Sequence, residues 1–212
     1  MKILIIGGCG FIGFNVFSFL KNKGYSKITI IDNFSGQSSK KNYLRIKKEF
    51  KDTEFINIDV SKKNKIFHFI KKNKPNVILA LHGQVAVTRS IKNPELDFNN
   101  NFLSVFNLLE SIRKFSPKSI LINLSSNKVY GKIEKIILKE KKLRYESNHL
   151  ISEKYPLNFE SPYGCSKGAA DQYIVDYAKL YNLKTVSLRL SCVYGENQWG
   201  TEDQGWIAWF IK

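Results

Sequence analysis

Tyr163 and Lys167 stand four residues apart in the run Ser161-Pro162-Tyr163-Gly164-Cys165-Ser166-Lys167-Gly168-Ala169-Ala170-Asp171. On a helix that spacing stacks the two side chains one turn apart on a single face. An ammonium beside a phenol favours the phenolate, lowers the tyrosine pKa and makes it usable as a general base or acid near neutral pH. Tyr-x-x-x-Lys is a weak pattern by itself in a chain with 10 tyrosines. Its meaning depends on what else the chain brings to the same place.

A second cluster is Gly7-Gly8-Cys9-Gly10-Phe11-Ile12-Gly13. It satisfies Gly8-x-Gly10-x-x-Gly13 and equally Gly7-x-x-Gly10-x-x-Gly13. It follows an apolar run, Lys2–Ile6, that reads as a strand, and it opens a helical pattern carrying Phe11, Ile12, Val16, Phe19 and Leu20. Glycines there permit a tight turn and close approach of a pyrophosphate to the N–H groups of a helix N-terminus. Asp32 ends the next strand at about the twenty-residue offset of a dinucleotide-binding fingerprint. Its carboxylate would accept hydrogen bonds from both ribose hydroxyls and repel a 2′-phosphate, which favours NAD over NADP.

Other candidates lie at predicted strand ends. Asp59-Val60 follows the third strand and either flanks an adenine ring or, with Ser61, caps a helix. Ala80-Leu81-His82-Gly83-Gln84 follows the fourth; its small residues leave room for a cofactor, and His82 reads better as a hydrogen-bonded structural histidine than as an acid or base. His68 and His149 have no partners that suggest a metal site. Asn123-Leu124-Ser125-Ser126-Asn127-Lys128-Val129-Tyr130-Gly131 ends the fifth strand. A serine hydroxyl there either caps a turn or lies near the Tyr163 hydroxyl and shares in proton transfer.

Positioning these residues requires strands at 2–6, 27–31, 55–58, 76–81, 119–124 and 185–190. The helix that opens at Phe11 is expected to be capped near Gly24, and further helices are expected at 40–50, 62–72, 95–114 and 161–181. The apolar spacing assigns Tyr43, Leu44, Ile46 and Phe50 to the core side of one helix, Ile66, Phe67 and Ile70 to the next, and Phe98, Phe102, Val105, Phe106, Leu109 and Ile112 to the long one. Residues 131–160 are charge-dense and lack periodicity. Alternation of this kind implies a doubly wound, mostly parallel α/β sheet of order 3-2-1-4-5-6, with ligands beyond the carboxyl ends of the strands.

The net charge of +16 comes from lysines scattered along the chain, with arginine only at 45, 89, 113, 144 and 189. No nucleic-acid-binding module accompanies it, so a solvated basic surface that attracts an anionic substrate is the better reading. No apolar run is long enough to cross a membrane. Cys9, Cys165 and Cys192 have no disulfide or metal spacing and read as free thiols of a cytoplasmic protein, and no metal is expected.

Taken together, the Gly7–Gly13 loop, Asp32, Ser125-Ser126…Val129-Tyr130-Gly131, Tyr163-x-x-x-Lys167 and Arg189…Val193-Tyr194-Gly195 resemble the extended short-chain dehydrogenase/reductases that act on nucleotide sugars. The runs 127–131, 162–173 and 201–206 are most similar to the branch of CDP-linked sugar 2-epimerases, which serves lipopolysaccharide O-antigen biosynthesis. The resemblance implies a Rossmann domain over 1–194 and the start of an incomplete substrate lobe over 195–212. It implies NAD held by Gly7, Gly10, Phe11, Ile12, Gly13, Asp32, Asn33, Asp59, Val60, Ala80, Leu81, Asn101, Tyr163, Lys167 and Ser191, with Cys192 beside it. It implies catalysis by Tyr163, Lys167 and Ser126 through a 2-keto sugar, with Gln84, Val87 and Asn127 on the sugar side. Asn127 and Lys128 replace the acidic pair that the dehydratase branch needs to eliminate water. A 4-epimerase, or a remnant that holds NAD without turnover, is the alternative. The resemblance also implies a homodimer or larger assembly through helices 95–114 and 161–181. The aromatic stretch Trp199, Trp206, Trp209 and Phe210 would be covered in longer relatives.

Overall fold

A computed structural model of the chain describes residues 1–36, 38–133, 137–147 and 151–211; His149 and Lys212 lie outside them. Six parallel strands form one sheet in the order β3-β2-β1-β4-β5-β8. They are β1 (Ile3–Ile6), β2 (Ile28–Asp32), β3 (Glu54–Asn57), β4 (Val77–Ala80), β5 (Ile120–Ser126) and β8 (Lys184–Leu190). This is the doubly wound order expected from the sequence, with β8 as the sixth strand.

The period of the strands decides how the layers fill. Leu4 and Ile6 of β1, Ile78 and Ala80 of β4 and Leu121 of β5 point to one side. There they meet α3 (Lys63–Asn73), α6 (Ser104–Phe115) and α7 (Pro162–Tyr181), which contribute Ile66, Ile70, Leu108, Leu109, Ile112 and Ile174. Ile3, Ile5, Ile28 and Ile30 point to the other side, onto Phe14 and Phe17 of α1 (Phe11–Asn22) and Ile46 of α2 (Ser39–Glu49). Each fully buried aliphatic side chain contributes roughly 1.5–3 kcal/mol of transfer free energy, so the six-stranded slab is held from both faces.

Several helix faces differ from the expected ones. Phe14 and Phe17, not Phe19, turn to the sheet from α1, and Phe19 is exposed. Leu44 and Phe98 are exposed as well, because Asn42 with Ile46, and Asp97 with Asn101, take the inward positions. Phe67 is half-buried, and Phe69 joins Ile66 and Ile70 in the core of α3. The long helix expected over 95–114 is interrupted. Two short helices, α4 (Val87–Lys92) and α5 (Pro94–Phe98), lead into a π-helical turn at Asn99–Leu103 before α6. Inside the charge-dense region, β6 (Leu138–Glu140) pairs antiparallel with β7 (Tyr145–Ser147) in a hairpin that the residue pattern did not reveal.

α7 begins where the sequence marks it. Pro162 occupies the first turn, where a missing N–H costs nothing, and the Ser161 hydroxyl accepts from the Gly164 N–H at 3.1 Å. α8 (Trp206–Ile211) closes the described chain and buries none of its residues.

Candidate active site

The first part of the site is the loop between β1 and α1. Gly10 caps α1 without a side-chain bond, so the first-turn N–H groups at Phe11, Ile12 and Gly13 point outward. Gly7 has φ +77°, and a Cβ there would lie 2.8 Å from the backbone of His82. The ends of β1 and β4 therefore approach each other as only glycine allows, at the point where strand order reverses. Asp32, 7% exposed, accepts from the Cys9 N–H at 3.0 Å and the Phe34 N–H at 2.8 Å. Burial raises its pKa and those two backbone bonds oppose the rise. Asn42 donates to the Cys9 carbonyl at 3.0 Å and ties α2 to the same loop. Asn33 is exposed and accepts from the Ser35 N–H at 3.1 Å.

Asp59 accepts from both the N–H and the hydroxyl of Ser61, at 2.9 and 2.7 Å, in a turn ahead of α3. Val60 is buried beside it, and its carbonyl accepts from Asn107 at 3.1 Å. Ala80 is fully buried, whereas Leu81 is half-buried. Ser191 and Cys192 are exposed just after β8. Val193–Glu196 then run past Phe11, Ile12, Asn15 and Val16, leaving a cleft of about 230 Å³. Asn15 fastens this segment through the Glu196 carbonyl at 3.0 Å and Asn197 at 2.9 Å.

The second part lies beyond β4 and β5. Tyr163 and Lys167 are buried on one face of α7, at 8% and 5% exposure. The Lys167 ammonium donates to the Leu124 carbonyl at 3.1 Å. A Cβ built on Gly83 would lie 2.9 Å from Lys167 Nζ and 2.5 Å from Asn101 Oδ1, so that glycine opens a space where an ammonium and an amide oxygen converge. Ser126, 8% exposed, sits at the end of β5, and its hydroxyl accepts from the Lys128 N–H at 3.2 Å. It also acts on the Tyr163 phenol. Asn127 is exposed and Val87 half-buried at the mouth. All the amide bonds of Gln84 are internal: Nε2 donates to Ala86 O and Asp97 Oδ1, both at 2.8 Å, and Oε1 accepts from the Ala86 N–H.

The electrostatics correct one expectation. The Tyr163 pKa is raised, not lowered: burial dominates, the Ser126 hydroxyl pulls it down, and the Asp97 carboxylate pushes it up. Lys167 feels the same burial, which brings its ammonium down to about 8, against the opposing pull of Asp97. His82 falls to about 3, first through burial and then through the Lys167 charge, and is neutral. The Ser104 hydroxyl donates to the Asn100 carbonyl, so His82 Nε2 must be the donor in its 2.8 Å contact with Ser104. Nδ1 is then a free acceptor, which fits the structural histidine expected there.

Four buried polar atoms around these strand ends have no protein partner: His82 Nδ1, Asn101 Oδ1, Asn123 Nδ2 and Ser125 Oγ. Unpaired buried groups of this kind cost about 1–3 kcal/mol each; Asn101 Oδ1 lies at the Gly83 opening, and the set fits a polar ligand. Together with the outward N–H groups of α1 and the Asp32 carboxylate, they suit a dinucleotide laid across the switch point. Residues 3–212 match the NAD dependent epimerase/dehydratase family.

The chain belongs to that family. It is 43% identical over its whole length to the CDP-paratose 2-epimerase of Salmonella typhi and covers 63% of it. It is 33% identical to a putative UDP-glucose 4-epimerase of Methanocaldococcus jannaschii, with 99% of this chain and 61% of that one covered. The structure of Thermus thermophilus UDP-glucose 4-epimerase in complex with NAD superposes with a TM-score of 0.83 at 28% identity, over 99% of this chain and 61% of that one. The chain thus spans about three-fifths of the length of these relatives. NAD is the cofactor of the family, and the polar groups at these strand ends suit it.

The sequence reading missed Asp97 and Ser166. Asp97 is fully buried and holds Gln84, Asn101 and Ser166 together. Its only signal was a carboxylate four residues before Asn101, which on a regular helix reads as an exposed polar position. Among the described residues no group of three or more His, Cys, Asp and Glu is placed to hold a metal ion, and no helix is long and apolar enough to cross a membrane.

Proposed function

We propose that this chain carries the cofactor-binding and proton-transferring part of an epimerase that inverts C2 of a CDP-linked dideoxy sugar, converting CDP-paratose to CDP-tyvelose through a 2-keto sugar. The observation that carries the reading is the convergence of Tyr163, Ser126 and Lys167 at the ends of α7 and β5. The choice of sugar is supported by the 43% identity to a CDP-paratose 2-epimerase.

A bound NAD supplies an acceptor that takes and returns the carbon-bound hydrogen as hydride, and a positive ring charge that favours the phenolate. The chain's own groups do the rest. Tyr163 takes the proton of the sugar 2-hydroxyl and later gives it back. Ser126 holds the same oxygen as it becomes a carbonyl and shortens the proton's path. Lys167 and Asp32 hold ribose hydroxyls, and the first turn of α1 holds the pyrophosphate. Asn33, Asp59, Val60, Ala80, Leu81 and Ser191 line the remainder of the cofactor path, and Gln84, Val87 and Asn127 frame the sugar's entrance. The keto sugar presents its opposite face before the hydrogen returns, so no net oxidation occurs. A row of aromatic rings, Phe98, Phe102, Phe106, Tyr173, Tyr177 and Tyr181, runs along the helical stretch 94–115 and α7 and leaves Phe98, Tyr173 and Tyr181 exposed, which supports assembly of two copies through those helices.

The test is incubation of the purified chain with NAD and CDP-paratose, with the C2 configuration followed by proton NMR. Formation of CDP-tyvelose is expected. Inversion at C4 of UDP-glucose instead would move the reading to a 4-epimerase. NAD binding without turnover of either sugar would reduce it to a cofactor-binding remnant.

A further inference from the structure

A buried carboxylate is an expensive way to join helices, since it must be fully hydrogen-bonded to offset its lost hydration. Asp97 meets that condition. Its Oδ1 accepts from Gln84 Nε2 at 2.8 Å and Asn101 Nδ2 at 2.9 Å, and its Oδ2 accepts from the Ser166 hydroxyl. The three donors come from the loop after β4, the π-helical turn and α7. The second hydrogen of Asn101 Nδ2 goes to the Gln84 carbonyl at 3.1 Å. Both amide hydrogens of Asn101 are therefore spent on the inner side. Oδ1 is left buried, without a protein partner, on the side where Gly83 opens toward Lys167 Nζ. The π turn at Asn99–Leu103 widens the helix at this residue, a distortion that recurs at functional sites.

We infer that Asp97 is a positioning residue of the active site, whose carboxylate fixes the flip of the Asn101 amide so that an acceptor faces Lys167 and the ribose hydroxyl held there. The inference rests on the reading of Lys167 as a cofactor-binding residue. An amide with the opposite flip would present its NH2 to an ammonium and to hydroxyl donors, and would repel the first. Through Ser166, the residue before Lys167, the same carboxylate also sets the rotation of α7, and with it the aim of both Tyr163 and Lys167. Its charge reaches both: it raises the Lys167 ammonium and the Tyr163 phenol. The titratable groups around Lys167 among the described residues are Asp97 on α5, Tyr163 one turn earlier on α7, and the neutral His82 after β4; β5 presents the Leu124 carbonyl and serine hydroxyls.

The experiment compares wild type with Asp97→Asn, Asn101→Ala and the double variant by calorimetric titration with NAD. It also follows the Lys167 ammonium by NMR in the cofactor-free proteins. Asp97→Asn is expected to weaken NAD binding about tenfold, the scale of one misplaced buried hydrogen bond. Asn101→Ala should do the same, and the double variant should be no worse than either. The Lys167 titration should move below its wild-type position near 8 in Asp97→Asn, and stay in place in Ser166→Ala, which keeps the charge. Losses that multiply in the double variant, or an unmoved Lys167 titration, would overturn the inference. Wild-type protein that fails to bind NAD would instead overturn the cofactor reading, while the Lys167 titration still decides the role of Asp97.

Discussion

Two regions of the molecule, the surroundings of the first turns of α7 and the segment after β8, are built in opposite ways. Tyr163 and Lys167 are themselves buried, and the polar groups of Asp97, Ser166, Gln84 and Asn101 bind one another around them. In the segment after β8, Tyr194, Trp206, Phe210 and Ile211 are exposed at 63%, 60%, 80% and 81%. Among the described residues, the contacts that tie this segment to the rest include Asn15 to Glu196 and Asn197, Arg45 to Asn197, Thr88 to Asp203, and the Lys41 ammonium over the Trp199 ring. The contrast teaches which tasks these residues complete by themselves. Binding a dinucleotide and moving a proton need preorganised groups on rigid elements, and those are assembled. An aromatic face left bare is a surface for other protein.

That comparison can be broken at both ends. The largest effect is expected from Tyr163→Phe, which removes the proton-transferring hydroxyl. Turnover should fall by about 10²–10⁴-fold while NAD affinity by calorimetry stays within about twofold of wild type. A large loss of binding would show that Tyr163 serves the fold or the cofactor and not the chemistry.

Next is the buried pair behind the site. Arg189 donates twice to Asp171, its Nη2 at 2.6 Å, and reaches the Tyr130 hydroxyl at 2.9 Å. Breaking it with Arg189→Leu leaves a buried carboxylate unpaired and should cost about 3–5 kcal/mol in urea unfolding. These bonds hold the Asp171 carboxyl below the usual range despite its burial. With its folded pKa depressed, Asp171 stabilises the protein above the unfolded value near 3.8 and loses that contribution as pH falls through the folded value. In Arg189→Leu the corresponding acid-side slope of stability should shrink.

A pH dependence of smaller size belongs to Lys167. Its ammonium is present below about 8 and lost above it, so NAD affinity should fall as pH rises through that region. Lys167→Met should bind weakly with no such dependence. The sign for stability is opposite. Between about 8 and the ordinary lysine value of 10.5 the unfolded chain binds more protons than the folded one, so Lys167 contributes increasing stability as pH rises.

The smallest effect is expected at the bare end. Phe210→Ser should change unfolding free energy by less than about 0.5 kcal/mol and reduce self-association in sedimentation. A loss comparable to that of Arg189→Leu would mean that the segment after β8 is part of the folded core.

The fold was legible because its period and punctuation are local. The apolar run Ile3 to Ile6, the glycines of Gly7–Gly13 and the Asp32 offset each state their geometry locally. The site was legible where spacing alone sets placement: Tyr163 and Lys167, four residues apart, do share one buried face of α7. It was not legible where the job depends on a long-range partner. Asp97 is ordinary in sequence and becomes central only when Gln84, Asn101 and Ser166 are brought to it. The direction of the Tyr163 shift was hidden for the same reason: a neighbouring lysine can be read from spacing, whereas the desolvation that dominates the shift cannot. The π-helical turn at Asn99–Leu103 likewise centres on Asn101, whose bond to the Gln84 carbonyl is long-range and invisible in the local pattern.

The most direct test is to run the C2 inversion of CDP-paratose in D2O with NAD bound. In this account Tyr163 handles only the hydroxyl proton, and the carbon-bound hydrogen leaves and returns as hydride. The product should therefore keep protium at C2 when read by NMR. Deuterium at C2 would mean that a side chain abstracts the carbon-bound proton itself, and would contradict the role assigned to Tyr163 and its cofactor.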